Sequence, residues 1–155
     1  MDQATRRSLI DRYRDGHRVV MEALAGISDA DLEMTQPGEW TPRQIVHHLA
    51  DSEMTSAIRL RRLLAEDRPE IQGYDEEAFA RRLHYDRPIG ASLDALKAVR
   101  ASSAELLDRL SETDWTREGV HTQSGRYTVE EWLTIYAAHA HDHADQIQRA
   151  RRRTA

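Results

Sequence analysis

The amino-acid sequence predicts an all-α protein, a four-helix bundle with a short extra helix in the crossover between its two halves. Four stretches of the chain carry apolar residues at helical spacing. Two capping boxes, Thr41 with Gln44 and Thr128 with Glu131, mark the starts of two of these helices. A weak internal duplication favours two packed helical hairpins. We therefore expect no β-sheet of three or more strands.

The size and composition of the chain are typical of one soluble, helix-rich domain that covers residues 1–155. The 155 residues are 39% hydrophobic and 32% charged, with only seven glycines and four prolines, unlike the composition of disordered chains. No stretch approaches the ~18 apolar residues of a membrane span, and no signal peptide is recognisable. We expect a cytoplasmic protein. The net charge of −5 disfavours binding to nucleic acid.

The main helices are predicted over residues 3–24, 42–66, 91–110 and 129–150. Gly26 ends the first helix in the place that C-terminal glycines usually take, and Pro42 occupies the first position of the second helix. Between the second and third helices, residues 68–89 form an irregular crossover that is long enough to span the bundle. Within this crossover a short helix is predicted from its N-cap, Asp75, to Leu83.

The internal duplication consists of two segments with the same order of local signals, residues 27–41 and residues 110–128. Each segment begins with an apolar residue and a Ser-x-x-Asp-apolar turn. Each then continues through a polar loop and ends in an aromatic residue followed by a threonine N-cap. Because a helix precedes and follows each segment, the duplication supports a bundle of four helices.

The predicted fourth helix has three of the eight histidines within five residues. One stripe of its helical wheel holds Trp132, Tyr136, His139, His143 and Ile147, whereas His141 points to the opposite face. Two imidazoles one turn apart on a buried face can hold one metal ion between them. The alternative interpretations are a histidine-rich surface helix, or core histidines that are hydrogen-bonded to their neighbours.

The predicted second helix has an adjacent pair, His47 and His48, on the two flanks of its apolar stripe. Periodicity alone does not choose between them. Glu53 falls close to the centre of the same apolar face, where a carboxylate must be paired, protonated or metal-bound. We therefore consider Glu53 a candidate group that supports the metal ligands; the alternative is a partly exposed salt bridge with an arginine. Three imidazoles on one divalent ion, with open positions remaining, are typical of a catalytic site for zinc, nickel or iron.

The segments Trp40–Glu53 and Tyr136–His143 together resemble the DinB superfamily, and most closely its YfiT-like branch of candidate metal-dependent hydrolases. The resemblance covers nearly the whole chain. It implies a four-helix bundle with an up-up-down-down order of helices, often assembled as a homodimer. It also implies one divalent metal ion, commonly nickel or zinc, on three histidines.

The resemblance assigns the three metal ligands residue by residue. The first ligand in the family is the histidine before leucine in a W-x7-H-L pattern, which here is His48 and not His47. The other two ligands are His139 and His143. No family motif supports the remaining histidines, His17, His84, His121 and His141, and none assigns a role to Glu53.

The function expected from the resemblance is a metal-dependent enzyme that acts on a small molecule. Several branches resemble transferases or isomerases that use a low-molecular-weight thiol such as bacillithiol, mycothiol or glutathione, whereas older labels name hydrolases. Both reactions need a metal that lowers the pKa of a bound thiol or water. Since the chain has no cysteine, the thiol would come from a cosubstrate. A non-catalytic metal-binding bundle of the stress response is the alternative.

Overall fold

The computed structural model describes residues 1–152, and the side chains of residues 1–151. In chain order the elements are α1 (Gln3–Ala23), α2 (Asp29–Leu32), α3 (Pro42–Ala65), β1 (Glu70–Ile71), α4 (Glu76–Arg82), α5 (Gly90–Leu107), α6 (Glu112–Trp115), β2 (Glu118–His121), β3 (Gly125–Thr128) and α7 (Val129–Arg152). The long helices α1, α3, α5 and α7 form the predicted four-helix bundle, and α4 is the predicted crossover helix. Within residues 1–152, no helix combines the length and the apolar character needed to cross a membrane.

Both predicted capping boxes are confirmed. The Thr41 N–H donates to Oε1 of Gln44 at 2.9 Å, and the Gln44 N–H donates to the Thr41 hydroxyl at 3.2 Å. Thr128 and Glu131 make the equivalent reciprocal pair at the start of α7, at 2.7 and 3.1 Å. Each box satisfies two backbone groups that a bare helix end would leave without partners. The boundary of α5 was predicted less well, because Leu110 stays packed against the core after the helix has ended at Leu107.

Helices α1 and α7 lie parallel to each other, although they are the first and the last helices of the chain. Near their starts, the Arg6 guanidinium pairs with the Glu130 carboxylate at 3.0 Å. Near their ends, the Arg151 guanidinium donates to the carbonyl of Ala23 at 2.6 Å. These two contacts fix the same direction for both helices.

Helices α3 and α5 are also parallel to each other, and both run opposite to α7. Near their starts, the His47 ring is hydrogen-bonded to the Ser92 hydroxyl at 2.8 Å. Further along, the Arg61 guanidinium donates to the Ser103 hydroxyl at 3.2 Å.

The helix directions are therefore up-down-down-up in chain order, and the up-up-down-down order implied by the resemblance was wrong. The reason lies in the connections. The segments that contain α2 and α6 each reverse the chain, at opposite ends of the bundle. The crossover instead returns the chain from the end of α3 to the end of the bundle where α3 began, so that α5 runs in the same direction as α3. Helix α1 packs against α5 and α7, and α3 packs against the same two helices. The helices of each predicted hairpin consequently lie diagonally across the bundle and do not pack side by side.

A small three-stranded sheet joins the connections at one end of the bundle, with β1 parallel to β2 and β2 antiparallel to β3. The expectation that no such sheet would form was wrong. Strands of two to four residues are too short to show a period of two in the sequence. Gly119 permits the close approach of β2 to the crossover, because a Cβ there would overlap the carbonyl oxygen of Pro69. The sheet thereby ties the crossover to the segment that precedes α7.

The bundle interior contains one arginine that contacts every long helix. The Arg100 side chain, 2% exposed on α5, is ion-paired with Glu53 of α3. Its Nε donates to the Tyr13 carbonyl of α1 at 2.5 Å, and one terminal nitrogen donates to the Tyr136 carbonyl of α7 at 2.7 Å. Gly16 leaves the space for the guanidinium, since a Cβ there would lie 2.6 Å from it. This polar centre separates the apolar clusters at the two ends of the bundle.

Candidate metal centre

Three histidine side chains converge between α3 and α7. His48 comes from α3, and His139 and His143 come from successive turns of α7. The Nε2 atoms of His48 and His139 lie 3.2 Å apart. One ring nitrogen from each of the three histidines lies within 4.8 Å of the corresponding atoms of the other two. The structure thus brings together the three histidines that the sequence analysis selected as metal ligands.

Helix geometry and one aromatic contact hold the imidazoles in this arrangement. His139 and His143 are one turn apart on the stripe that faces α3, and their ring centroids are 4.6 Å apart. Because α3 runs antiparallel to α7, His48 near the start of α3 meets them from the opposite side. Trp40, just before α3, packs edge-on against the His48 ring at 4.8 Å. Its indole N–H donates to the Glu77 carboxylate of α4 at 3.1 Å.

All three imidazoles are neutral at pH 7. Burial, with the neighbouring His143, lowers the pKa of His48 to about 3. Burial, followed by the charges of His143 and His48, lowers the pKa of His139 to about 2. Burial also lowers the pKa of His143, against an opposing hydrogen bond to Gln146. Neutral imidazole has the free lone pair that a metal ligand requires.

The arrangement of the ring nitrogens fits one divalent ion. The Nδ1 of His143 donates to Oε1 of Gln146 at 2.8 Å, which leaves the Nε2 lone pair available. Two nitrogens bound to one tetrahedral zinc ion at ~2.0–2.1 Å lie ~3.3 Å apart, close to the 3.2 Å between His48 and His139. The Nδ1 of His48 is buried and has no hydrogen-bond partner within the described residues. Three neutral nitrogen donors suit ions of intermediate softness, such as zinc and nickel.

The structure places His47 and His141 outside this cluster. Both ring nitrogens of His47 are occupied: Nε2 donates to the carbonyl of Arg87 at 2.9 Å, and Nδ1 accepts from the Ser92 hydroxyl at 2.8 Å. His141 points toward α1, where its Nε2 donates to the carbonyl of Arg12 at 3.0 Å. These two histidines connect neighbouring segments of the fold.

Glu53 lies at the bundle centre and makes no hydrogen bond to the three histidines. Its two carboxylate oxygens accept hydrogen bonds from the Tyr13 hydroxyl and the Arg100 guanidinium. Glu53 and Arg100 are 1% and 2% exposed. The ion pair is therefore fully buried and not partly exposed as expected. Support of the metal ligands by Glu53 stays a prediction, and these contacts favour the ion-pair alternative.

Sequence reasoning missed two arginines near the site. Arg100 follows Leu96 by one turn on the buried face of α5, and a charged residue at such a position is the signal that was available. Arg59 lies on the same face of α3 as His48, about three turns further on. Its guanidinium donates to the Tyr136 hydroxyl at 3.1 Å, and the Tyr136 ring lies 5.9 Å from the His139 ring.

Known proteins share both the sequence pattern and the fold. Residues 12–147 match the family model of the DinB superfamily. A protein of Oceanobacillus iheyensis that is named as a candidate metal-dependent hydrolase is 34% identical over 139 residues, which are 89% of this chain and 81% of that protein. YfiT of Bacillus subtilis, which has the same designation, is 35% identical over 136 residues, 85% of this chain and 76% of YfiT.

The solved structure of Bacillus subtilis YfiT superposes with a TM-score of 0.94 and 29% identity, covering 99% of this chain and 90% of that one. That structure is described as an unusual four-helix bundle of a candidate metal-dependent hydrolase. The match to the family model over residues 12–147 and the match of fold over nearly the whole chain lead to one conclusion. The chain belongs to the DinB superfamily.

Proposed function

We propose that the protein is a metal-dependent enzyme in which His48, His139 and His143 hold one divalent ion, nickel or zinc. The observation that carries this proposal is the convergence of three neutral imidazoles within 4.8 Å of one another. No carboxylate of the described residues joins the group. Three protein ligands leave coordination positions for a substrate, as catalytic zinc sites do.

The reaction that suits this site is the activation of a small nucleophile. A bound divalent ion lowers the pKa of a thiol or a water that it binds. The protein contributes three ligands that remain neutral, so they do not reduce the positive charge that the nucleophile experiences. Trp40 and Tyr136 pack against the edges of the cluster.

We favour transfer of a thiol to a small electrophile over hydrolysis. A free thiol has a pKa of ~8.5, against about 15.7 for water. A metal must therefore lower the pKa of a thiol by less to deprotonate it at neutral pH. Because the chain has no cysteine, a low-molecular-weight thiol cosubstrate would supply the sulfur. Hydrolysis is the second candidate, and the names of the relatives support it. The chain lacks the His-Glu-x-x-His and Gly-x-Ser-x-Gly patterns, which argues against peptide hydrolysis and a serine nucleophile.

The proposal can be tested with protein purified without a histidine tag. Metal content is measured first, and then the rates of thiol conjugation to an electrophile and of ester hydrolysis, with and without a chelator. We expect metal-dependent conjugation that His143→Ala abolishes. The matched control is His141→Ala, which removes a neighbouring imidazole of α7 that bonds to α1. Metal-dependent hydrolysis with unchanged conjugation would favour the hydrolase, and bound metal without either activity would favour a non-catalytic metal-binding protein.

We also propose that the protein forms a homodimer. The support is the family membership and the exposure of one large apolar side chain on α1, Met21, which is 43% exposed. Sedimentation at tens of micromolar protein tests this, and a monomer at that concentration would contradict it.

A further inference from the structure

Arg59 is a half-buried cation without an acidic partner. Its terminal nitrogens donate to the Tyr136 hydroxyl at 3.1 Å and to the carbonyl of Gln72 at 2.7 Å. The guanidinium carbon lies 5.7 Å from the centre of the Tyr74 ring. Within residues 1–151, no carboxylate lies within 4.0 Å of the guanidinium. Glu76, which is exposed, is an acidic side chain close enough to act on Arg59 electrostatically.

Several polar atoms around Arg59 also lack hydrogen-bond partners. The hydroxyls of Tyr74 and Tyr127 and the Nε of Arg59 are buried, and none has a partner of normal hydrogen-bond geometry. Ser52 lies next to the Tyr74 hydroxyl, and Tyr136 lies next to the Tyr127 hydroxyl. Neither pair forms a hydrogen bond of normal geometry. Tyr127 is only 5% exposed. Buried donors without partners cost free energy, so this group is poised to bind a ligand that accepts hydrogen bonds.

The group lies beside the histidine cluster. The Tyr136 ring stands between them, since its hydroxyl accepts from Arg59 and its ring packs 5.9 Å from the His139 ring. Arg59 and His48 share one face of α3, and side chains tilt toward the start of a helix, which brings the guanidinium back toward His48. A small molecule that reacts at the histidines can therefore extend to Arg59.

We propose that Arg59, with the hydroxyls of Tyr74 and Tyr127, forms a subsite for an anionic group, a carboxylate or a phosphate, at the far end of the reacting small molecule. Guanidinium and hydroxyl donors match the oxygens of such groups, and charge-assisted hydrogen bonds are the stronger ones. Tyr136 holds the guanidinium in place. The inference rests on the proposed function only for the reactive end of the molecule, because the anionic end is bound by residues outside the histidine cluster.

The opposing interpretation is that Arg59 only tethers the crossover, through its bond to Gln72. Arg61 offers a matched control, because it is another half-buried arginine of α3 without an acidic partner. It donates instead to Ser102 and Ser103 of α5 at 2.9 and 3.2 Å. Loss of a structural tether and loss of a ligand contact are then distinguished by comparing anionic with neutral probes.

The first experiment measures binding of inorganic phosphate to the metal-loaded protein by calorimetry. We expect Arg59→Gln to weaken this binding about tenfold or more, as loss of a charged hydrogen bond should. Arg61→Gln should leave it unchanged, and Arg59→Lys should restore part of it. Glu76→Gln should tighten it, because a competing negative charge is removed. Equal weakening by Arg59→Gln and Arg61→Gln, or no phosphate binding, would overturn the subsite.

The second experiment uses cobalt-loaded protein and a series of ω-mercapto carboxylic acids of three to six carbons, each compared with its neutral amide. The sulfur-to-cobalt absorption band reports thiol binding at the metal. At the best chain length we expect the acid to bind about tenfold more tightly than the amide, and Arg59→Gln to abolish that difference. Equal binding of acid and amide would contradict the subsite but leave the proposed function intact. Absence of the band with every thiol would contradict thiol activation, and the phosphate result would still decide the subsite.

Discussion

The Nε2 atoms of His48 and His139 lie 3.2 Å apart although 91 residues separate them in the chain. Only the closed bundle brings α3 and α7 to this distance. An unfolded chain has no equivalent group of three imidazoles, because His48 is then far from the other two. A metal ion on this cluster would therefore bind the folded state more tightly than the unfolded state and would stabilise the fold.

Metal content should depend on three histidines of the cluster and on no others. We expect alanine at His48, His139 or His143 to lower bound metal at least tenfold, because two remaining imidazoles hold an ion much less tightly. His47→Ala and His141→Ala should retain it, since both side chains are used in hydrogen bonds elsewhere. Elemental analysis after dialysis gives the answer. An empty site in His47→Ala together with a full site in His48→Ala would show that the assignment on α3 is wrong.

The metal-free protein should lose stability as the pH falls below about 6.5. His48 and His139 have folded-state pKa values of about 3 and about 2, below the ordinary 6.5, so the unfolded state takes up protons first. The stability that their neutral forms provide is present above pH 6.5 and is lost progressively toward the folded values. From pH 7 to pH 5 we expect about 2 kcal/mol less unfolding free energy per histidine.

Urea unfolding of chelator-treated protein at pH 7 and pH 5 measures this loss. The double variant His48→Gln/His139→Gln should show a pH dependence smaller by about 4 kcal/mol, the sum for two histidines. If the variant and the parent lose the same free energy, these histidines are not the groups that titrate.

Gly16 should not tolerate alanine, although it lies in the interior of a helix. Gly→Ala there would normally stabilise a helix by up to about 1 kcal/mol. Here the new Cβ would lie 2.6 Å from the Arg100 guanidinium, and displacement of that buried group should cost about 1–3 kcal/mol more than the helix gains. Gly90→Ala at the start of α5, where a Cβ would meet no atom of another segment within 4 Å, should be neutral or stabilising. Thermal unfolding of both variants tests the contrast, and equal melting temperatures would contradict it.

The buried pair of Arg100 and Glu53 should show strong coupling in a double-mutant cycle. Arg100→Met leaves the carboxylate buried without its cation and should cost about 3–5 kcal/mol of unfolding free energy. Adding Glu53→Gln removes the stranded charge and should recover at least half of that loss. Chemical denaturation of the two single variants and the double variant gives the coupling energy. Additive losses would show that the two side chains contribute independently.

The parts of the structure that were predictable are those with local signals. Thr41 and Thr128 mark the starts of their helices, because each takes part in a capping box. The spacing of His139 and His143 places both residues on one helix face from sequence alone. The choice of His48 over His47 came from the family resemblance, because both residues are buried and periodicity treats them alike.

The parts that were not predictable depend on contacts between distant segments. Parallel pairing of β1 with β2 joins Ile71 to His121, and neither strand is long enough to carry a pattern of its own. The helix directions depend on where in the bundle the crossover segment ends. The composition of that segment does not specify this position. Arg100 was visible only as a charge on an apolar stripe, and its partner Glu53 lies on another helix.

The parallel pairing of the first and last helices has a consequence for how the chain folds. The bonds that join α1 to α7 connect residues 124 to 129 positions apart, as between Arg6 and Glu130 or His141 and Arg12. Contacts of such separation require large loops to close before they contribute, so folding should be slow for a helical bundle. During synthesis α1 leaves the ribosome first, yet one of its two principal partners, α7, follows only after more than a hundred further residues. Until then one apolar flank of α1 is uncovered, and exposed apolar surface of this kind favours aggregation or chaperone binding.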